Sequence, residues 1–201
     1  MTALARGPRV LKAPLSGPLL SVEKTLAGKE FLVLGGTGFL GKVTVGMLLH
    51  RYPGVGKLHL LMRRGKFRSA WQRLEEEFLR SVPFKHWQDS MGMEAWIEHA
   101  KTLFEVLDGD ITLPGLGVPD ESWNALKGRV SAVFNVSGVV DFTPPLDEAL
   151  DVNCRGLQHV LDIARRLGDL PILHTSTCFV AGKMSGTVGE DPPDHKPYPR
   201  Y

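Results

Sequence analysis

Three glycines near the start of the chain have the spacing to bind a phosphate. Gly35, Gly38 and Gly41 occur at every third position, directly after the apolar residues 31–34. The first permits a tight turn, the second lets the backbone approach a phosphate, and the third lets a helix pack closely on a strand. Because the unpaired N–H groups and the dipole of a helix amino terminus favour an anion, this stretch predicts a strand, a turn and a helix that bind the diphosphate of a dinucleotide.

The residues after the next apolar run bear on which dinucleotide fits. Residues 57–62 predict a second strand, and Arg63 and Arg64 follow it directly. At this position a carboxylate would bind a free 2′-hydroxyl, whereas arginines offer paired donors to a 2′-phosphate. No carboxylate follows the strand, so the sequence favours NADP(H) over NAD(H). The alternative is a solvated basic loop.

A third group of polar residues could contact a substrate. Residues 170–174 predict a strand, and the hydroxyls of Thr175, Ser176 and Thr177 follow its carboxyl end, where open α/β sheets bind ligands. Asn153 falls on the apolar stripe of a long helix predicted over residues 146–167. Either it is a buried amide that bonds a neighbouring backbone, or it orders water or a catalytic side chain at a site.

The order of elements predicts the fold class. Predicted strands at 29–34, 57–62, 102–107, 130–134 and 170–174 alternate with predicted helices at 39–51, 67–80, 122–126 and 146–167, and a further short helix falls within 83–99. This alternation predicts an α/β fold with a doubly wound parallel sheet of the Rossmann type. Residues 1–27, rich in proline and glycine, predict an extended arm, and residues 28–201 one NAD(P)-binding domain.

Composition excludes several function classes. The 201 residues carry a net charge of +2, too small to argue for a nucleic-acid partner, and no apolar run approaches the roughly 20 residues that cross a bilayer. Cys154 and Cys178 lack the paired spacing of a zinc site, so no metal is expected, and they are interpreted as buried thiols in a reducing compartment. The prediction is a soluble, cytoplasmic protein. Its oligomeric state is left open.

Six motifs together resemble a known family. They are, in chain order, GGTGFLG, LMRR, GDIT, FNVSGVVDF, DVNCRG and HTSTCFVAG, between residues 35 and 182. The set resembles the extended short-chain dehydrogenase/reductase superfamily. Within that superfamily, residues 27–182 are similar to the NAD(P)-binding domain of fatty acyl-CoA reductases of the male sterility type.

The resemblance implies roles for individual residues. It implies that the cofactor diphosphate is bound by Gly35, Thr37, Gly38, Phe39, Leu40 and Gly41. It implies that Arg63, with Arg64 behind it, holds the adenosine ribose phosphate, and that Asp110 and Ile111 flank the adenine. The ribose on the nicotinamide side would be lined by Asn135, Val136, Ser137 and Gly138. Thr177, with Ser176 adjacent, matches the active-site hydroxyl, and Asn153 matches the helix asparagine near the active site.

The same resemblance implies an activity and leaves alternatives. The implied reaction is NADPH-dependent reduction of a long-chain fatty acyl-CoA to a fatty aldehyde or fatty alcohol. Within the enzyme class, the alternatives are a reductase acting on an acyl carrier protein thioester, or a sugar-nucleotide epimerase or dehydratase. Outside that class, the alternative is a non-catalytic module that binds NADP(H).

One part of the family pattern is missing. The Tyr-x-x-x-Lys pair, which in the family supplies the acid and holds the cofactor, has no complete match, and Tyr198 and Tyr201 are the only candidates for its tyrosine. In the family this pair lies well beyond the Ser-Thr strand. The expectation is therefore that the chain is an amino-terminal portion of a longer reductase.

Overall fold

A five-stranded parallel sheet forms the centre of the protein. The computed structural model describes residues 20–141, 143–177 and 186–187. The strands are β1 (Glu30–Leu34), β2 (Leu58–Met62), β3 (Phe104–Asp108), β4 (Val130–Asn135) and β5 (Ile172–His174). They lie in the order β3-β2-β1-β4-β5, and every neighbouring pair is parallel. The order reverses between β1 and β4, so ligand-binding loops are expected at the carboxyl ends of these strands.

Helices connect successive strands. They are α1 (Val22–Leu26), α2 (Phe39–Arg51), α3 (Ala70–Arg73), α4 (Lys85–Met91), α5 (Met93–Leu103), α6 (Asp120–Leu126), α7 (Leu146–Leu150) and α8 (Gly156–Arg166). A π-helical segment, Leu74–Leu79, extends α3, and a second one, Asp151–Arg155, joins α7 to α8. Short 3₁₀ turns occupy Val82–Phe84 and Pro114–Gly117. The predicted α/β fold with a doubly wound parallel sheet is confirmed.

The sheet is buried on both faces, as alternation along β1 shows. Phe31 and Val33 belong to one core, which also contains buried residues of α2, of the Leu74–Leu79 segment and of α5. Leu32 and Leu34 belong to the other core, with buried residues of α6 and α8. Because successive side chains of a strand point to opposite faces, an apolar run without polar interruption is what a strand covered on both sides requires.

Three local expectations are wrong. Val22–Leu26 is a short helix where an extended arm is predicted, and Ser21 caps it by accepting a hydrogen bond from the Lys24 N–H. Residues 83–99 hold two helices rather than one, because Gly92 adopts φ +83° between them. Cys154 is exposed rather than buried; Cys178 lies outside the described residues.

The described residues divide into two compact units. Ser21–Thr175 contains the whole sheet and its helices. The other unit includes Leu20 and resumes at Ser176; of it, the structure describes Leu20, Ser176, Thr177, Gly186 and Thr187. Among the described helices, none is long and apolar enough to span a membrane.

Candidate cofactor-binding cleft

A cleft of about 300 Å³ opens at the carboxyl ends of β1, β2, β3 and β4. Its walls come from the loops that follow these four strands and from the helices beyond them. The predicted cofactor residues that line it are Gly35, Thr37, Gly38, Arg63, Asp110, Ile111, Val136, Ser137 and Gly138. Sequence segments far apart in the chain thus meet at one cleft, as expected where parallel strands end at a shared edge.

The first and third glycines shape the floor of the cleft. Gly35 has φ +78°, and a Cβ on it would lie 2.5 Å from the Ser137 nitrogen. A Cβ on Gly41 would lie 2.3 Å from the carbonyl oxygen of Gly35. Any larger residue at either position would displace backbone, which cannot swing aside as a flexible side chain can. The tight turn at Gly35 and the close packing at Gly41 are therefore as the spacing predicts.

The second glycine leaves room for a ligand. Gly38 is exposed and precedes the 13-residue helix α2, and a Cβ on it would have only the Gly35 oxygen within 4 Å, at 3.4 Å. The first intrahelical bond runs from the Lys42 N–H to the Gly38 carbonyl, at 3.0 Å, so the N–H groups of residues 39–41 precede it. This cradle of glycine backbone and helix N–H groups fits a diphosphate.

Phe39, Leu40 and Gly41 do not line the cleft with side chains. Phe39 and Leu40 are exposed on the first turn of α2, and Gly41 is buried beneath the glycine turn. If these three residues bind the diphosphate as predicted, they must therefore do so through their backbone N–H groups.

Arg63 reaches the cleft with a largely free guanidinium. Its side chain is 72% exposed, and its Nη1 lies 3.8 Å from Oδ2 of Asp110. Arg73, on α3, also lines the cleft and donates from Nη1 to the Arg63 carbonyl at 2.6 Å. The hydrogen bonds between Arg73 and Glu77 raise the pKa of Arg73 and lower that of Glu77, so both groups are charged. Arg73 thus fixes the backbone from which Arg63 projects.

Sequence reasoning missed Arg73. It appeared there only as one charge among several in a predicted helix over residues 67–80. Arg73 lies on the first turn of the helix that follows the β2 loop, and the start of that helix lies beside the loop. This position is the signal that could have identified Arg73 as a cleft residue.

Arg64 lies apart from this cleft. It pairs with Asp108, and both residues line a neighbouring open groove of about 650 Å³. The sequence predicted that no carboxylate lies beside the two arginines, and in the folded structure this prediction is wrong. Met62 is in register with Asp108, so the end of β3 brings Asp108 and Asp110 alongside the arginines that follow β2. A carboxylate forty-odd residues away cannot be assigned to that place without knowing the strand order.

Asp110 and Ile111 belong to a loop held by local bonds. Oδ1 of Asp110 accepts from the backbone N–H of Thr112 at 2.9 Å and from its hydroxyl at 2.8 Å. The carbonyl of Ile111 lies 3.0 Å from Nδ1 of His159 on α8. Because Oδ2 of Asp110 faces Arg63, the carboxylate bridges the loop and the guanidinium.

Asn135 lies beneath the cleft rather than on its wall. It is 1% exposed, and its Oδ1 accepts hydrogen bonds from the backbone N–H and the hydroxyl of Ser137. Its Nδ2 lies 3.2 Å from Nδ1 of His174 on β5. Asn135 therefore holds the loop at Ser137 in its conformation, whereas Val136, Ser137 and Gly138 form the surface of the cleft.

Asn153 is not on the buried stripe of its helix. It is exposed, in the π-helical segment between α7 and α8. Its Oδ1 accepts from the Val139 N–H at 2.9 Å, and its Nδ2 donates to the Val139 carbonyl at 3.3 Å. The π-helical turn shifts the helical register, so periodicity read through it misplaces the residue. Leu146, Leu150 and Leu161 of the predicted stripe are likewise exposed. Of the two interpretations of Asn153, the bond to a neighbouring backbone is observed, on an exposed amide.

The predicted catalytic hydroxyls follow β5. Ser176 and Thr177 are both exposed and belong to the unit that resumes at Ser176. Thr175, the last residue of the sheet-containing unit, donates its N–H to the Asn135 carbonyl at 2.9 Å, which extends the pairing of β5 with β4. Tyr198 and Tyr201 lie outside the described residues.

Comparison with known protein families gives an independent result. The sequence model of the family described as "Male sterility protein" matches residues 33–197. Over 178 residues the chain is 31% identical to the alcohol-forming fatty acyl-CoA reductase of Simmondsia chinensis, covering 86% of this chain and 35% of that protein. It is 30% identical over 170 residues to fatty acyl-CoA reductase 1 of Arabidopsis thaliana, covering 83% and 34%. The chain thus spans about a third of the length of these relatives.

Solved structures give the same fold. The reductase domain of a non-ribosomal peptide synthetase from Mycobacterium tuberculosis aligns with a TM-score of 0.61 and 27% identity, over 81% of this chain and 37% of that one. The terminal R domain of the myxalamid biosynthetic pathway aligns with a TM-score of 0.64 and 22% identity, over 83% and 39%.

Proposed function

This chain belongs to the male sterility protein family, and we propose that it supplies the NADPH-binding part of a reductase that acts on a long-chain fatty acyl-CoA. The observation that carries the proposal is the cleft that joins the glycine turn, Arg63 and the Ser137 loop. The relatives named above are fatty acyl-CoA reductases, which supports the substrate class.

In this proposal the cofactor lies across the carboxyl edge of the sheet. Its diphosphate binds the backbone of Gly38 and the first turn of α2, where the helix dipole favours negative charge. Arg63, whose exposed guanidinium offers paired donors, would hold the 2′-phosphate of the cofactor, whereas Arg64 is paired with Asp108 in the neighbouring groove. Asp110 and Ile111 would flank the adenine, and the 136–138 loop, which Asn135 holds through Ser137, would line the second ribose.

The proposed chemistry divides between cofactor and protein. When bound, NADPH would supply a hydride to the thioester carbonyl carbon, and the carbon–sulfur bond would then break, releasing the thiol of coenzyme A and leaving an aldehyde. Thr177, with Ser176 beside it, donates a hydrogen bond to the carbonyl oxygen, and this bond strengthens as negative charge develops there. Asn153 holds the Val139 backbone, and so the rim of the cofactor loop, in place. The proton donor would be the tyrosine of the Tyr-x-x-x-Lys pair that the family resemblance implies.

Titration with NADPH and NADH tests the cofactor assignment. Asp110 is the observation that favours the rival, because a carboxylate beside Arg63 could instead accept a hydrogen bond from a free 2′-hydroxyl. We expect tighter binding of NADPH. Arg63→Ala should weaken NADPH by about 1.5 to 3 kcal/mol, the range for a hydrogen bond to a charged group, and leave NADH nearly unchanged.

Arg80→Ala is the matched control, because Arg80 is exposed and paired with Glu75 away from the cleft. It should change neither affinity. Equal binding of the two cofactors by the unmodified chain would overturn the NADPH assignment.

Turnover tests the reductase assignment. Residues 1–201 should show no acyl-CoA-dependent oxidation of NADPH, whereas a longer protein that restores a downstream Tyr-x-x-x-Lys should show it. In that protein Thr177→Ala should lower kcat by about 10² to 10³, roughly the loss for one oxyanion donor. A longer protein that binds NADPH without turnover would instead favour the non-catalytic module.

A second substrate is favoured by the solved structures. The Mycobacterium tuberculosis neighbour is a reductase domain of a peptide synthetase, so a thioester on a carrier protein is the alternative to acyl-CoA. Comparing acyl-CoA with acyl carrier protein thioester in the turnover assay separates the two. We propose a cytoplasmic location, which fractionation tests, since another relative is named as chloroplastic.

A further inference from the structure

A chain of three side chains links the end of β5 to the wall of the cleft. His174, the last residue of β5, is in register with Asn135, the last residue of β4. Asn135 is 1% exposed and bonds both His174 and Ser137. Ser137 lines the cleft. The conformation of a cleft residue therefore depends on a histidine that is not itself on the cleft wall.

The bonds fix the orientation of the Asn135 amide. The backbone N–H of Ser137, 3.2 Å from Oδ1, can only donate, so the side-chain atom that faces it must be the oxygen. The amide nitrogen, Nδ2, therefore faces Nδ1 of His174 at 3.2 Å. Since Nδ2 carries two hydrogens and can only donate, Nδ1 of His174 must accept. The imidazole is then neutral, with its proton on Nε2.

A second histidine near the cleft shows the opposite arrangement. Nδ1 of His159 lies 3.0 Å from the carbonyl oxygen of Ile111, which can only accept. That nitrogen must donate, and it still donates when the ring is protonated. Protonation therefore breaks the bond of His174 to Asn135 but preserves the bond of His159.

We propose that His174 is a positioning residue for the cofactor cleft, whose neutral ring holds Asn135 so that Ser137 is fixed for the bound cofactor. The proposal rests on the proposed function in one respect, that the cofactor is NADP(H). Among the described residues β5 pairs with β4 alone, and in that pairing the group that faces His174 is the uncharged amide of Asn135. Between described residues, no ion pair joins His174 to a carboxylate or a basic group.

The test compares two substitutions of one residue. In His174→Asn, Oδ1 can take the place of Nδ1 as an acceptor that does not titrate near neutrality. In His174→Leu, the acceptor is lost and Asn135 keeps a buried amide hydrogen without a partner. His86→Asn, an exposed histidine on α4, is the matched control for the loss of one titrating ring.

The first measurement is the affinity for NADP⁺ at pH 8 and pH 5.5. The 2′-phosphate titrates in the same range, but its effect is common to all variants and cancels in their ratio. The unmodified chain and His86→Asn should lose about five- to tenfold more affinity on acidification than His174→Asn, because only His174→Asn keeps an uncharged acceptor for the Asn135 amide. His174→Leu should bind weakly at both pH values.

The second measurement needs no cofactor. The backbone amide resonance of Ser137 should shift with pH in the unmodified chain and in His86→Asn, and stay constant in His174→Asn. If binding is normal at pH 8 but His174→Asn keeps the pH dependence of the unmodified chain, His174 has no positioning role and the cofactor assignment survives. If the unmodified chain binds neither NADP⁺ nor NADPH, the proposed cofactor is wrong and the positioning role is overturned with it.

Discussion

The two ends of the parallel sheet differ in how their polar groups are paired. At the amino end, the fully buried ring of His59 has Nε2 at 2.8 Å from Glu30 and Nδ1 at 3.4 Å from Glu105, and Arg129 lies within 4 Å of both carboxylates. At the carboxyl end, the glycine turn before α2 and the guanidinium of Arg63 line a cleft. Charged groups at the amino end pair with one another, although Nδ1 of His59 has no hydrogen-bond partner among the described residues, whereas the carboxyl end offers donors to a ligand.

The pKa of Glu30 shows how the ionisable groups at the amino end of the sheet act on one another. Burial acts to raise it, but the hydrogen bond from His59 and the charge of Arg129 lower it, and the net result is a pKa below its ordinary value. The carboxylate thus remains charged because its partners compensate its desolvation. The ionisable cluster around His59 is accordingly interpreted as structural, because its carboxylates pair with Arg129. A binding site is indicated at the carboxyl end, where the guanidinium of Arg63 lines the cleft and is 72% exposed.

The largest expected effect comes from a glycine that packs. Gly41→Ala should lower the free energy of unfolding by about 3 kcal/mol, because its Cβ would lie 2.3 Å from the Gly35 carbonyl oxygen and only backbone could yield. Denaturant titration measures the loss. Gly36→Ala is the matched control, since the nearest atom to its Cβ is a Leu60 methyl at 3.5 Å. Equal stability of the two variants would contradict the close packing at Gly41.

A smaller effect is expected at the amino end. Glu30→Gln should lower the free energy of unfolding at pH 7 by about 1.5 kcal/mol, the scale of a hydrogen bond to a charged group. Because the folded pKa of Glu30 is lowered, its stabilisation is present above the ordinary value of 4.5 and is lost as the pH falls through the folded pKa. The difference between variant and parent should therefore disappear in acid.

Glu98→Gln is the control for that change. Glu98 forms an exposed ion pair with Lys101, which should contribute less than about 1 kcal/mol at any pH. A stability difference for Glu30→Gln that persists unchanged after the pH has fallen through the folded pKa of Glu30 would show that packing, rather than charge, holds this cluster.

The smallest expected effect separates binding from folding. Gly38→Ala should weaken NADPH and NADH alike by about tenfold, or ~1.4 kcal/mol, because a methyl group would stand between the backbone and the diphosphate. Stability should hardly change, since the added Cβ meets only one atom, at 3.4 Å. Cofactor titration and denaturant titration on the same sample measure both quantities. Loss of stability without a separate binding defect would show that Gly38 serves packing alone.

Local patterns were sufficient to predict most of the fold. Helix α2 begins and ends at the predicted residues, Phe39 and Arg51, because the glycine turn and the Tyr52-Pro53-Gly54 stop are both local signals. All five strands fall within two residues of their predicted starts. The glycine spacing likewise predicted the roles of Gly35 and Gly41, since each follows from the geometry of one turn.

Features that depend on contacts between distant residues could not be predicted from local patterns. Asn153 was misplaced because a π-helical turn within the predicted long helix changes which side chains share a face. Arg64 was predicted to lie behind Arg63 at the ribose phosphate, but it pairs with Asp108, which the pairing of β3 with β2 brings to it.

The sequence by itself thus determined the alternation of strands and helices, the glycine turn and the family, because these depend on residues close together in the chain. Only the tertiary structure decided which polar groups are paired. The contact of His174 with Asn135, the cluster around His59 and the carboxylate of Asp110 beside Arg63 each bring together residues on or just after different strands. Their partners are set by strand order and register, which a local pattern does not encode.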